Sequence, residues 1–425
     1  MGVMGLFVRL IYNVFLFPVL FILLNILSFL STKVQIAFFK RYSIFSDIRS
    51  FTKTPGQRSI LIHAASMGEF EHIKPLIGKL KETYPHSKIT VTFFSPSGFN
   101  NVKSFKGVNQ FLYLPFDFPW VMKRFYKIIR PDALIIAKYD LWPNMVWQAS
   151  KLEIPIFIVN AALAKNSNRF KGLSYLIHRE IYKHLTEIWI SSEEDSSRFS
   201  SLAQDVKISI TGDTKFDQVI WRRENAKRNE IIDDSIIKNK RVFIAGSIWP
   251  QDWDVLIPAF DKLIKTYDDL IIILVPHEPT DSHIEEIESK LEHTSIRFSR
   301  VSKYKNEKFI VVNRIGVLAS MYAKANFAYV GGSFKQNIHN VLEPAVFGIP
   351  VFYGPVHKNS FEAVELNNAG GSIVVDSTEE FIIRFEKILK SEDEYKSYCN
   401  IANLYTIENK GASDKVIYRL KEYLS

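Results

Sequence analysis

Short apolar runs alternate with polar segments of helical period along most of the chain. In the first half the runs are SILIHAA, KITVTFFS, FLYLPFD, DALIIAKYD, IPIFIVNAAL, TEIWISS and VKISITGD. The segment MGEFEHIKPLIGKLKETY, between the first two runs, carries apolar residues at roughly a 3.6-residue period. Continuous apolar runs separated by helices are typical of a parallel sheet that is covered on both faces. The pattern predicts a doubly wound α/β domain.

A second series of apolar runs follows a charged stretch without strand character at residues 218–240. Its members are RVFIAGS, LIIILVPHEP, FIVVN, FAYVGGS, IPVFYGP and SIVVD. Two Rossmann-like domains that face each other across a cleft are the simplest architecture. The predicted divisions are a membrane anchor with a basic segment at 1–54, an acceptor domain at 55–217 after a short linker around Pro55, a second linker at 218–240, a nucleotide-sugar domain at 241–395 and a C-terminal helix at 396–425.

The N-terminal region is far more apolar than the rest of the chain. No charged residue occurs from Leu10 to Thr32, a stretch of 23 residues, which is long enough to cross a bilayer as a helix. A cleaved signal peptide is an alternative, but no small-x-small cleavage site follows the run. Pro18 and Asn25 weaken the predicted span, so a helix that lies in the membrane interface is also open.

Positive charges are concentrated after this apolar run, whereas Arg9 alone precedes it. The positive-inside rule therefore places the bulk of the chain in the cytoplasm. We also expect the basic side chains to lie against anionic lipid headgroups. They are Lys33, Lys40, Arg41, Arg49 and Lys53.

The chain has 425 residues and a formal net charge of +9, which favours an anionic partner such as an acidic lipid or a phosphorylated substrate. Nucleic acid is the least favoured partner, because the sequence lacks dense basic runs. The single cysteine, Cys399, excludes an internal disulfide framework and a cysteine-based zinc pattern. A reducing compartment is therefore expected for the catalytic part.

The stretch FAYVGGSFKQNIHNVLEPAVFGIPVFYGP predicts a nucleotide site. A buried strand is followed by Gly331 and Gly332, where the backbone can turn sharply and expose its amides. A helix is predicted from Asn340, a common N-cap residue, to Gly348. The helix N-terminus and the glycine turn would together form an anion site, and Glu343 would accept hydrogen bonds from ribose hydroxyls. The alternative is a plain tight turn followed by a solvated acid in the first helical turn.

Glu69 follows the first apolar run, at the predicted start of the first helix. At that place a carboxylate could take a proton from the hydroxyl of an acceptor. An acid that is merely favoured by the helix dipole is the alternative. His63, inside the same apolar run, is expected to be a core residue.

Other segments that follow strands of the second half converge on one edge of the predicted sheet. Lys215, after the last run of the first half, is either solvated or, if it faces a cleft, able to neutralise a leaving phosphate. No carboxylates and histidines have metal-ligand spacing, so no metal is expected. The converging residues are Ser247 in AGS, Pro276 and His277 in VPHEP, and Ile315, Gly316 and Val317 in NRIGVL.

Six segments together resemble one family, in the same order along the chain: HAASMGEFEHIKPLI, DLWPN, TGDTKFD, AGS, GGSFKQNIHNVLEPAVFGIPVFYGP and NSFEAVEL. The family is that of the 3-deoxy-D-manno-octulosonic acid (Kdo) transferases, membrane-anchored glycosyltransferases of lipopolysaccharide synthesis. The resemblance covers nearly the whole chain and implies the GT-B fold. It also implies transfer of Kdo from CMP-Kdo to a lipid A precursor at the inner membrane, with inversion at the sugar centre.

The resemblance also implies roles for individual residues. By it, Glu69 is the general base and Lys215 stabilises the transition state. The implied partners are CMP-Kdo, a lipid A precursor of the tetraacyldisaccharide 4'-phosphate type and anionic inner-leaflet lipids, with no cofactor and no nucleic acid. The implied CMP-Kdo contacts are Ser247, Pro276, His277, Ile315, Gly316, Val317, Gly332, Ser333, His339, Asn340, Val341, Leu342 and Glu343.

The chain departs from the family pattern at three places. Many members have Glu-x-Glu before LWPN, whereas this chain has Lys138, Tyr139 and Asp140. A carboxylate thought to assist the transition state is thus a lysine here, or its role passes to Asp140. The usual arginine is missing from VPHEPTDSH, which leaves His277 or Lys335 to contact phosphate, and the common AGST reads AGSI.

Two other functions stay open at the level of sequence. Nucleotide-sugar 2-epimerases share the two-domain cleft, although the membrane anchor and the HNVLEPA segment together with Glu69 argue against an isomerase. A non-catalytic nucleotide- or lipid-binding membrane protein is favoured by the departures at Lys138 and His277. Acceptor-independent epimerisation would indicate the first function, and tight CMP binding without turnover the second.

Overall fold

The computed structural model describes residues 3–48, 54, 56–102, 104–164, 166–226 and 231–424. Two compact units divide the chain: Met1–Gln218 with Lys410–Ser425, and Val219–Asn409. Arg49, Lys53 and Pro55, which the sequence assigned to the basic segment and the first linker, lie outside the described residues, as do residues 227–230 of the second linker and the side chain of Lys33. Each unit contains one seven-stranded sheet. The predicted α/β class with two Rossmann-like halves is confirmed.

The sheet of the first unit is entirely parallel, with the strand order β3-β2-β1-β4-β5-β6-β7. Its strands are β1 Ser59–His63, β2 Lys88–Phe93, β3 Gln110–Tyr113, β4 Ala133–Ala137, β5 Ile156–Ala161, β6 Glu187–Ile190 and β7 Lys207–Ile210. The helices that follow the first six strands in turn are α4 Met67–Thr83, α5 Pro96–Asn101, α6 Pro119–Ile129, α7 Pro143–Lys151, α8 Gly172–Tyr182 and α9 Glu193–Leu202. Helix α10 Thr214–Ala226 follows β7 and continues into the second unit.

Burial explains why the apolar runs form the central strands. All five residues of β1 are buried, which a strand covered by helices on both faces requires. Helix α4 buries one apolar stripe against this sheet, from Phe70 to Leu80. Helix α19, Ala412–Leu424, contributes Val416 and Leu420 to the same core. The last helix of the chain therefore belongs to the first unit.

The second unit repeats the parallel design, with the order β10-β11-β9-β8-β12-β13-β14. Its strands are β8 Arg241–Ile248, β9 Leu270–Pro276, β10 Ser295–Arg297, β11 Phe309–Val311, β12 Phe327–Val330, β13 Val351–Tyr353 and β14 Ser372–Val374. Its helices are α11 Asp234–Ile237, α12 Pro250–Thr266, α13 Asp281–Lys290, α14 Leu318–Met321, α15 Leu342–Ala345, α16 Phe361–Asn368, α17 Thr378–Lys390 and α18 Glu392–Glu408. The short edge strand β10 has no counterpart among the predicted runs, because three residues carry too little periodicity to stand out.

Asn340 and Gly348 were predicted to bound one helix, and this prediction is wrong. Helix α15 is a single turn, and the residues from Asn340 to Val341 form a loop in which Asn340 Oδ1 accepts a hydrogen bond from the backbone of Leu342 at 3.1 Å. Pro344 lies inside the turn, and Gly348, with φ of +67°, ends the segment. A helix this short provides no dipole of consequence for an anion.

The N-terminal apolar segment forms one continuous helix, Val3–Leu30, in which a π-helical segment Tyr12–Leu16 separates α1 Val3–Ile11 from α2 Phe17–Leu30. Among the described residues it is the one helix long and apolar enough to cross a membrane. Helix α3, Thr32–Ile48, follows it and packs Phe38 and Ile44 into the first unit.

Arg41 was expected to face lipid headgroups, and this expectation is also wrong. Arg41 is 8% exposed, because it shares with Ala37 and Ile44 the face of α3 that packs against the first unit. Its guanidinium donates to the carbonyl oxygens of Leu114 at 3.0 Å, Ala37 at 2.7 Å and Phe94 at 2.6 Å. Burial lowers the pKa of Arg41 to about 10, so the group stays charged.

Replacing Arg41 is therefore expected to destabilise the fold. Arg41→Gln leaves buried carbonyl oxygens without donors and should lower the free energy of unfolding by about 2–4 kcal/mol. Lys40→Gln removes the same charge from an exposed position and should change the free energy by less than about 0.5 kcal/mol. Thermal unfolding of the two variants in detergent measures the difference. Equal effects on the two melting temperatures would contradict the structural role of Arg41.

Candidate active site

Glu69 is held at the carboxyl end of β1 by the start of α4. Ser66 is the N-cap residue, and its hydroxyl oxygen accepts a hydrogen bond from the Glu69 backbone at 3.5 Å. The Glu69 carboxylate reaches back and accepts a hydrogen bond from the Ala65 backbone at 2.6 Å. The turn ASMGE thus acts like a capping box, and it fixes the carboxylate in a half-buried position at the sheet edge.

His63, the last residue of β1, connects a buried strand with this edge. Its side chain is fully buried, as expected, with Nδ1 3.0 Å from Thr92 Oγ1 and Nε2 2.9 Å from Asp140 Oδ2. Asp140 also accepts a hydrogen bond from Trp142 Nε1 at 3.2 Å. Because an ionised carboxylate can only accept, the Nε2 atom of His63 carries a proton. His63 therefore orients Asp140, a role that its sequence position within an apolar run did not indicate.

Lys138 follows β4 in a left-handed backbone conformation, with φ of +61°. Its backbone donates to the carbonyl oxygen of Val159 in the neighbouring strand at 2.7 Å, which ties this strained residue to the sheet. Left-handed non-glycine residues are costly and cluster at functional sites. The positive charge of Lys138 lies within electrostatic range of both Glu69 and Asp213. This lysine therefore links two acids that follow different strands.

Lys215 forms an ion pair with Asp213, with Nζ and Oδ2 3.3 Å apart. The Asp213 carboxylate also accepts a hydrogen bond from the Lys215 backbone at 2.9 Å. The turn between them is fixed by Thr214, whose backbone donates to Asn160 Oδ1 at 2.9 Å and whose hydroxyl donates to the carbonyl oxygen of His72 at 2.5 Å. Lys215 is thus positioned by its partner and its turn and is not simply a solvated cation.

The charges around this edge set the protonation of its acids. Burial raises the pKa of Glu69, and Asp140 raises it further, while the hydrogen bond from Ala65 and the charges of His63 and Lys138 oppose this. Burial also acts to raise the pKa of Asp213, but the charges of Lys215, His72 and Lys138 outweigh it and hold the pKa below its ordinary value. Lys138 thus acts on one carboxylate with a raised pKa and on another that stays ionised.

The pKa of Asp140 is lowered. Burial acts to raise it, but the hydrogen bonds from His63 and Trp142 prevail. Asp140 therefore stays ionised, and its negative charge contributes to keeping the pKa of Glu69 high. The first unit in this way brings Glu69, Lys138 and Asp140 into one electrostatic group and connects Lys215 to it through Asp213.

The second unit has its switch point between β8 and β12, where the chain order along the sheet reverses. Ligands of open α/β sheets bind at such points. Ser247 forms a bulge at the end of β8, with φ of +54°. A Cβ atom on Gly331 would lie 2.2 Å from the Ser247 carbonyl oxygen, so the glycine is required where these two strands end. The predicted glycine turn thus lies directly against Ser247.

Gly332 continues this turn in the left-handed region, with φ of +85°. Its amide donates to Asp252 Oδ2 at 2.8 Å. The fully buried Asp252 also accepts hydrogen bonds from the Trp249 backbone and from the Tyr329 hydroxyl, each at 2.8 Å. Asp252 was not identified from the sequence, although its place in the first turn of α12 after a Trp-Pro pair is a helix-start signal. Asp252 fixes the glycine turn, but it also accepts the hydrogen bond of the Gly332 amide, which was expected to bind a phosphate.

Three aromatic rings stack beside the turn. The ring of His277 lies 4.3 Å from that of His339 and 4.7 Å from that of Trp249, at interplanar angles of 15° and 25°. Trp249 Nε1 donates to His339 Nε2 at 3.0 Å, so this nitrogen is unprotonated. Burial, reinforced by His277, lowers the pKa of His339 to about 4, and burial lowers that of His277. The rings thus form an aromatic stack that is neutral at neutral pH, and Trp249 was not foreseen as a member of it.

The other predicted donor contacts are less uniform in position. The Ser333 hydroxyl is fully buried, accepts a hydrogen bond from the Gly354 amide at 2.6 Å and donates to the Val330 carbonyl oxygen at 3.1 Å. It positions the turn from inside. Pro276 ends β9, and the loop after β11 exposes Ile315 and buries Val317, with the left-handed Gly316 between them.

Glu343 lies in the one-turn helix α15, where it pairs with Arg222. Val341 and Leu342, next to it, are buried. Arg222 was not among the candidate residues, because it lies in a charged stretch that reads as a linker. The Glu343 carboxylate is therefore already held by a cation within the second unit.

An apolar pocket of about 120 Å³ opens in the first unit between the helices α2 and α3 and the loops after β2, β3 and β4. Trp142 lines it and also holds Asp140 through its indole. The pocket therefore lies next to the electrostatic group that contains Glu69. Among the described residues, no group of three His, Cys, Asp or Glu is arranged to hold a metal ion. The lining residues are Phe17, Leu24, Val34, Ala37, Phe38, Arg41, Phe94, Pro96, Leu114, Pro115, Phe116, Asp117 and Trp142.

Comparison with known proteins agrees with this picture. The family model described as 3-deoxy-D-manno-octulosonic-acid transferase (kdotransferase) matches residues 37–218. The 3-deoxy-D-manno-octulosonic acid transferase of Haemophilus influenzae is 29% identical over 426 residues, which cover 96% of each chain. The transferase of the same name from Aquifex aeolicus is 30% identical over 373 residues, covering 86% of this chain and 94% of its own.

Among solved structures, UDP-GlcNAc 2-epimerase from Neisseria meningitidis bound to UDP-GlcNAc is similar, with a TM-score of 0.64. It covers 86% of this chain and is itself covered completely, at 16% identity. At this identity the likeness concerns the fold alone. The fold therefore agrees with the GT-B class but does not separate a transferase from an isomerase.

Proposed function

The chain belongs to the family of the 3-deoxy-D-manno-octulosonic acid (Kdo) transferases, and on that premise we propose that it moves Kdo from CMP-Kdo to a lipid A precursor. The chain is accordingly a glycosyltransferase, and the finer assignment of donor and acceptor is our proposal. The observation that supports it most is the fixed Glu69 carboxylate, with its raised pKa, beside the cationic Lys138. We place the reaction in lipopolysaccharide biosynthesis, at the cytoplasmic face of the inner membrane.

Glu69 acts as the general base in this proposal. It takes the proton from the sugar hydroxyl of the acceptor while the oxygen attacks the anomeric carbon of Kdo and the bond to CMP breaks, with inversion. A raised pKa suits a base that works near neutral pH. The hydrogen bond from Ala65 holds the carboxylate in place, so little reorganisation is required during the reaction.

Lys215 stabilises the negative charge that develops on the leaving phosphate. The Asp213 carboxylate keeps the ammonium group of Lys215 in place. The same ion pair partly neutralises the positive charge that Lys215 presents to the phosphate. Lys138 occupies the position where many members of the family have glutamate. We infer that the carboxylate role thereby falls to Asp140, which His63 and Trp142 keep ionised and oriented.

The donor nucleotide is assigned to the second unit. Its turn at Gly331 and Gly332 lies at the switch point of the sheet. The aromatic stack of Trp249, His277 and His339, in which His277 is the exposed member, offers a stacking partner for a base. Glu343 accepts hydrogen bonds from the ribose hydroxyls, and Arg222 holds its carboxylate in place. The proposal uses no metal or other cofactor.

A lipid acceptor is supported by the apolar pocket next to Trp142. Its walls come from helices α2 and α3, which expose many apolar residues on their other faces. A pocket that connects such helices with the edge that carries Glu69 suits an acyl chain whose sugar headgroup reaches the base. A substrate without acyl chains would leave this pocket unoccupied.

The first experiment compares wild type with Glu69→Gln. CMP release from CMP-Kdo by the detergent-solubilised full chain is measured with and without a tetraacylated lipid A precursor, and mass spectrometry counts the sugars on the lipid. Acceptor-dependent release in wild type should fall by about 10²–10⁴ in the variant, since the base is lost. Calorimetric binding of CMP should be unchanged.

Glu71→Gln is the matched control, because Glu71 lies on the same helix but pairs with Lys74. Its activity should stay within about twofold of wild type. Full activity of Glu69→Gln would remove the assigned base. An epimerised nucleotide sugar formed without acceptor would show that the protein is an isomerase and not a transferase. Binding of CMP without any CMP release from CMP-Kdo would indicate a non-catalytic protein.

Lys138 is expected to shift the pH dependence of the reaction. Its charge lowers the pKa of Glu69, so Lys138→Met should raise that pKa. A base must be deprotonated to act, and the acid limb of kcat/KM should therefore move to higher pH. Activity at pH 6 would fall more than activity at pH 8. Lys88 begins β2 and so lies at the sheet edge opposite Lys138, and Lys88→Met should leave the acid limb of kcat/KM at its wild-type pH. The same acid limb in the Lys138 and Lys88 variants would contradict the coupling between Lys138 and Glu69.

Filling the apolar pocket should affect acylated acceptors alone. Ala37 is buried in its wall, and Ala37→Leu should raise the KM for the tetraacylated precursor at least about tenfold while kcat with a deacylated disaccharide phosphate is unchanged. Ile36→Leu changes the exposed neighbour, which is 46% exposed, and serves as control. An unchanged KM in Ala37→Leu, at an unchanged melting temperature, would exclude the pocket as an acyl site.

A further inference from the structure

The helix Val3–Leu30 has two faces of different chemistry. Its outer face is apolar and open: fifteen large apolar side chains of this helix are exposed, among them Phe7, Phe15 and Ile22. Its inner face is packed against the first unit, where Val8 and Phe17 are 1% and 3% exposed. A helix surrounded by lipid would show no such division.

The inner face is joined to the unit by polar contacts. Tyr12 donates its hydroxyl to Asp117 Oδ2 at 2.9 Å, and Asn144 donates to Asn13 Oδ1 at 2.7 Å. Arg9 lies 2.7 Å from His184 Nε2 and 3.7 Å from Glu180 Oε1. These contacts are specific in direction and length, and they differ from the nonspecific packing of an apolar helix on an apolar surface.

Aromatic contacts extend the docked face beyond the polar part. The ring of Phe17 lies 4.7 Å from that of Phe118, and the ring of Phe21 lies 5.0 Å from that of Phe116. Trp120, which is 65% exposed, stacks on Phe118 at 4.8 Å. Tryptophan is a residue typical of the membrane–water interface.

The π-helical segment Tyr12–Leu16 keeps this face continuous. The buried positions Val8, Tyr12 and Phe17 of the inner face are four and then five residues apart. In a regular α-helix the extra residue would rotate Phe17 and all that follows by about 100°. A π-helical turn absorbs one residue, so the polar and aromatic parts contact the same unit.

We propose that this helix stays docked on the first unit and lies in the plane of one membrane leaflet, with its outer face among the acyl chains. The occupant of the outer face is thus the lipid bilayer. The outer face carries no charge between Arg9 and the end of the helix, and Ile36 and Phe39 of α3 expose further apolar surface beside it.

A crossing helix would conflict with the contacts of the inner face. At about 1.5 Å per residue the helix is long enough to cross a bilayer. If it did so while docked, the partner side chains Asp117, Glu180 and His184 would be carried to bilayer depth, where charged groups are costly. If it undocked, Asp117 would lose the Tyr12 hydroxyl and the aromatic contacts would open. A helix in the plane of the leaflet keeps all of these contacts and still buries the outer face.

The first test asks on which side of the membrane the N-terminus lies. In a Cys399→Ser background, a hydrophilic Gly-Ser-Cys extension is added before Met1, and Ser200→Cys on α9 marks the side of the first unit. A membrane-impermeant maleimide is applied to inside-out and right-side-out vesicles. Both cysteines should be labelled at least about tenfold more in the same vesicle type. Labelling of the extension from the opposite side would overturn the proposal.

The second test asks whether the helix is docked in native membranes. Asn13→Cys with Asn144→Cys should be bridged by dibromobimane, which links closely spaced thiols, whereas Val14→Cys with Asn144→Cys should not, because Val14 faces outward and is 53% exposed. Absence of the first bridge in membranes whose chain remains active would overturn docking. Cross-linking of Phe15→Cys between two chains would show that a second copy, and not lipid, covers the outer face. The first test does not depend on the identity of the reaction, so its failure is distinguishable from a failure of the proposed function.

Discussion

Parallel pairing is the constraint on which both units depend. Because all strands of a parallel sheet run in one direction, every strand delivers its following loop to the same edge. In the first unit this brings Glu69 after β1, Asp140 after β4 and Asp213 after β7 to one side, although they are far apart in sequence. In the second unit it brings Ser247 against Gly331. The chemistry of each edge is then decided by short-range contacts among these loops.

Lys138 shows how one cation can act on several acids at such an edge. A lysine there acts on two acids at once, since its charge lowers the pKa of both Glu69 and Asp213. A carboxylate in its place would raise both. Asp140, two residues after Lys138, is kept ionised by its hydrogen bonds from His63 and Trp142. A negative charge therefore persists beside Glu69. The edge thus retains an ionised acid and a carboxylate with a raised pKa, and the lysine adds a positive charge beside them.

Much of the fold could be predicted, because long apolar runs specify strands that are covered on both faces. The glycine turn and Glu69 were also predictable, since Gly331 and a third-position acid in a helix have local signatures. Residues that depend on tertiary contacts could not be found in this way. The sequence suggested that Arg41 is solvated, whereas the fold buries its side chain. Asp252 and Trp249 form hydrogen bonds with residues that are distant in sequence.

The long N-terminal apolar segment is the clearest case in which composition leaves the structure open. Length and hydropathy fit a crossing helix, and they fit equally a helix that lies on the surface of a domain. Tyr12 and Asn13 decide between these, because a polar pair in the middle of an apolar helix needs partners, and Asp117 and Asn144 provide them. The π-helical turn at the same place keeps the following aromatic residues on the docked side. A helix held in this way brings lipid to the wall of the apolar pocket, and the pocket wall formed by Trp142 leads to Asp140. In our proposal, the fold shared with a nucleotide-sugar isomerase is joined to a lipid surface through these contacts of the N-terminal helix.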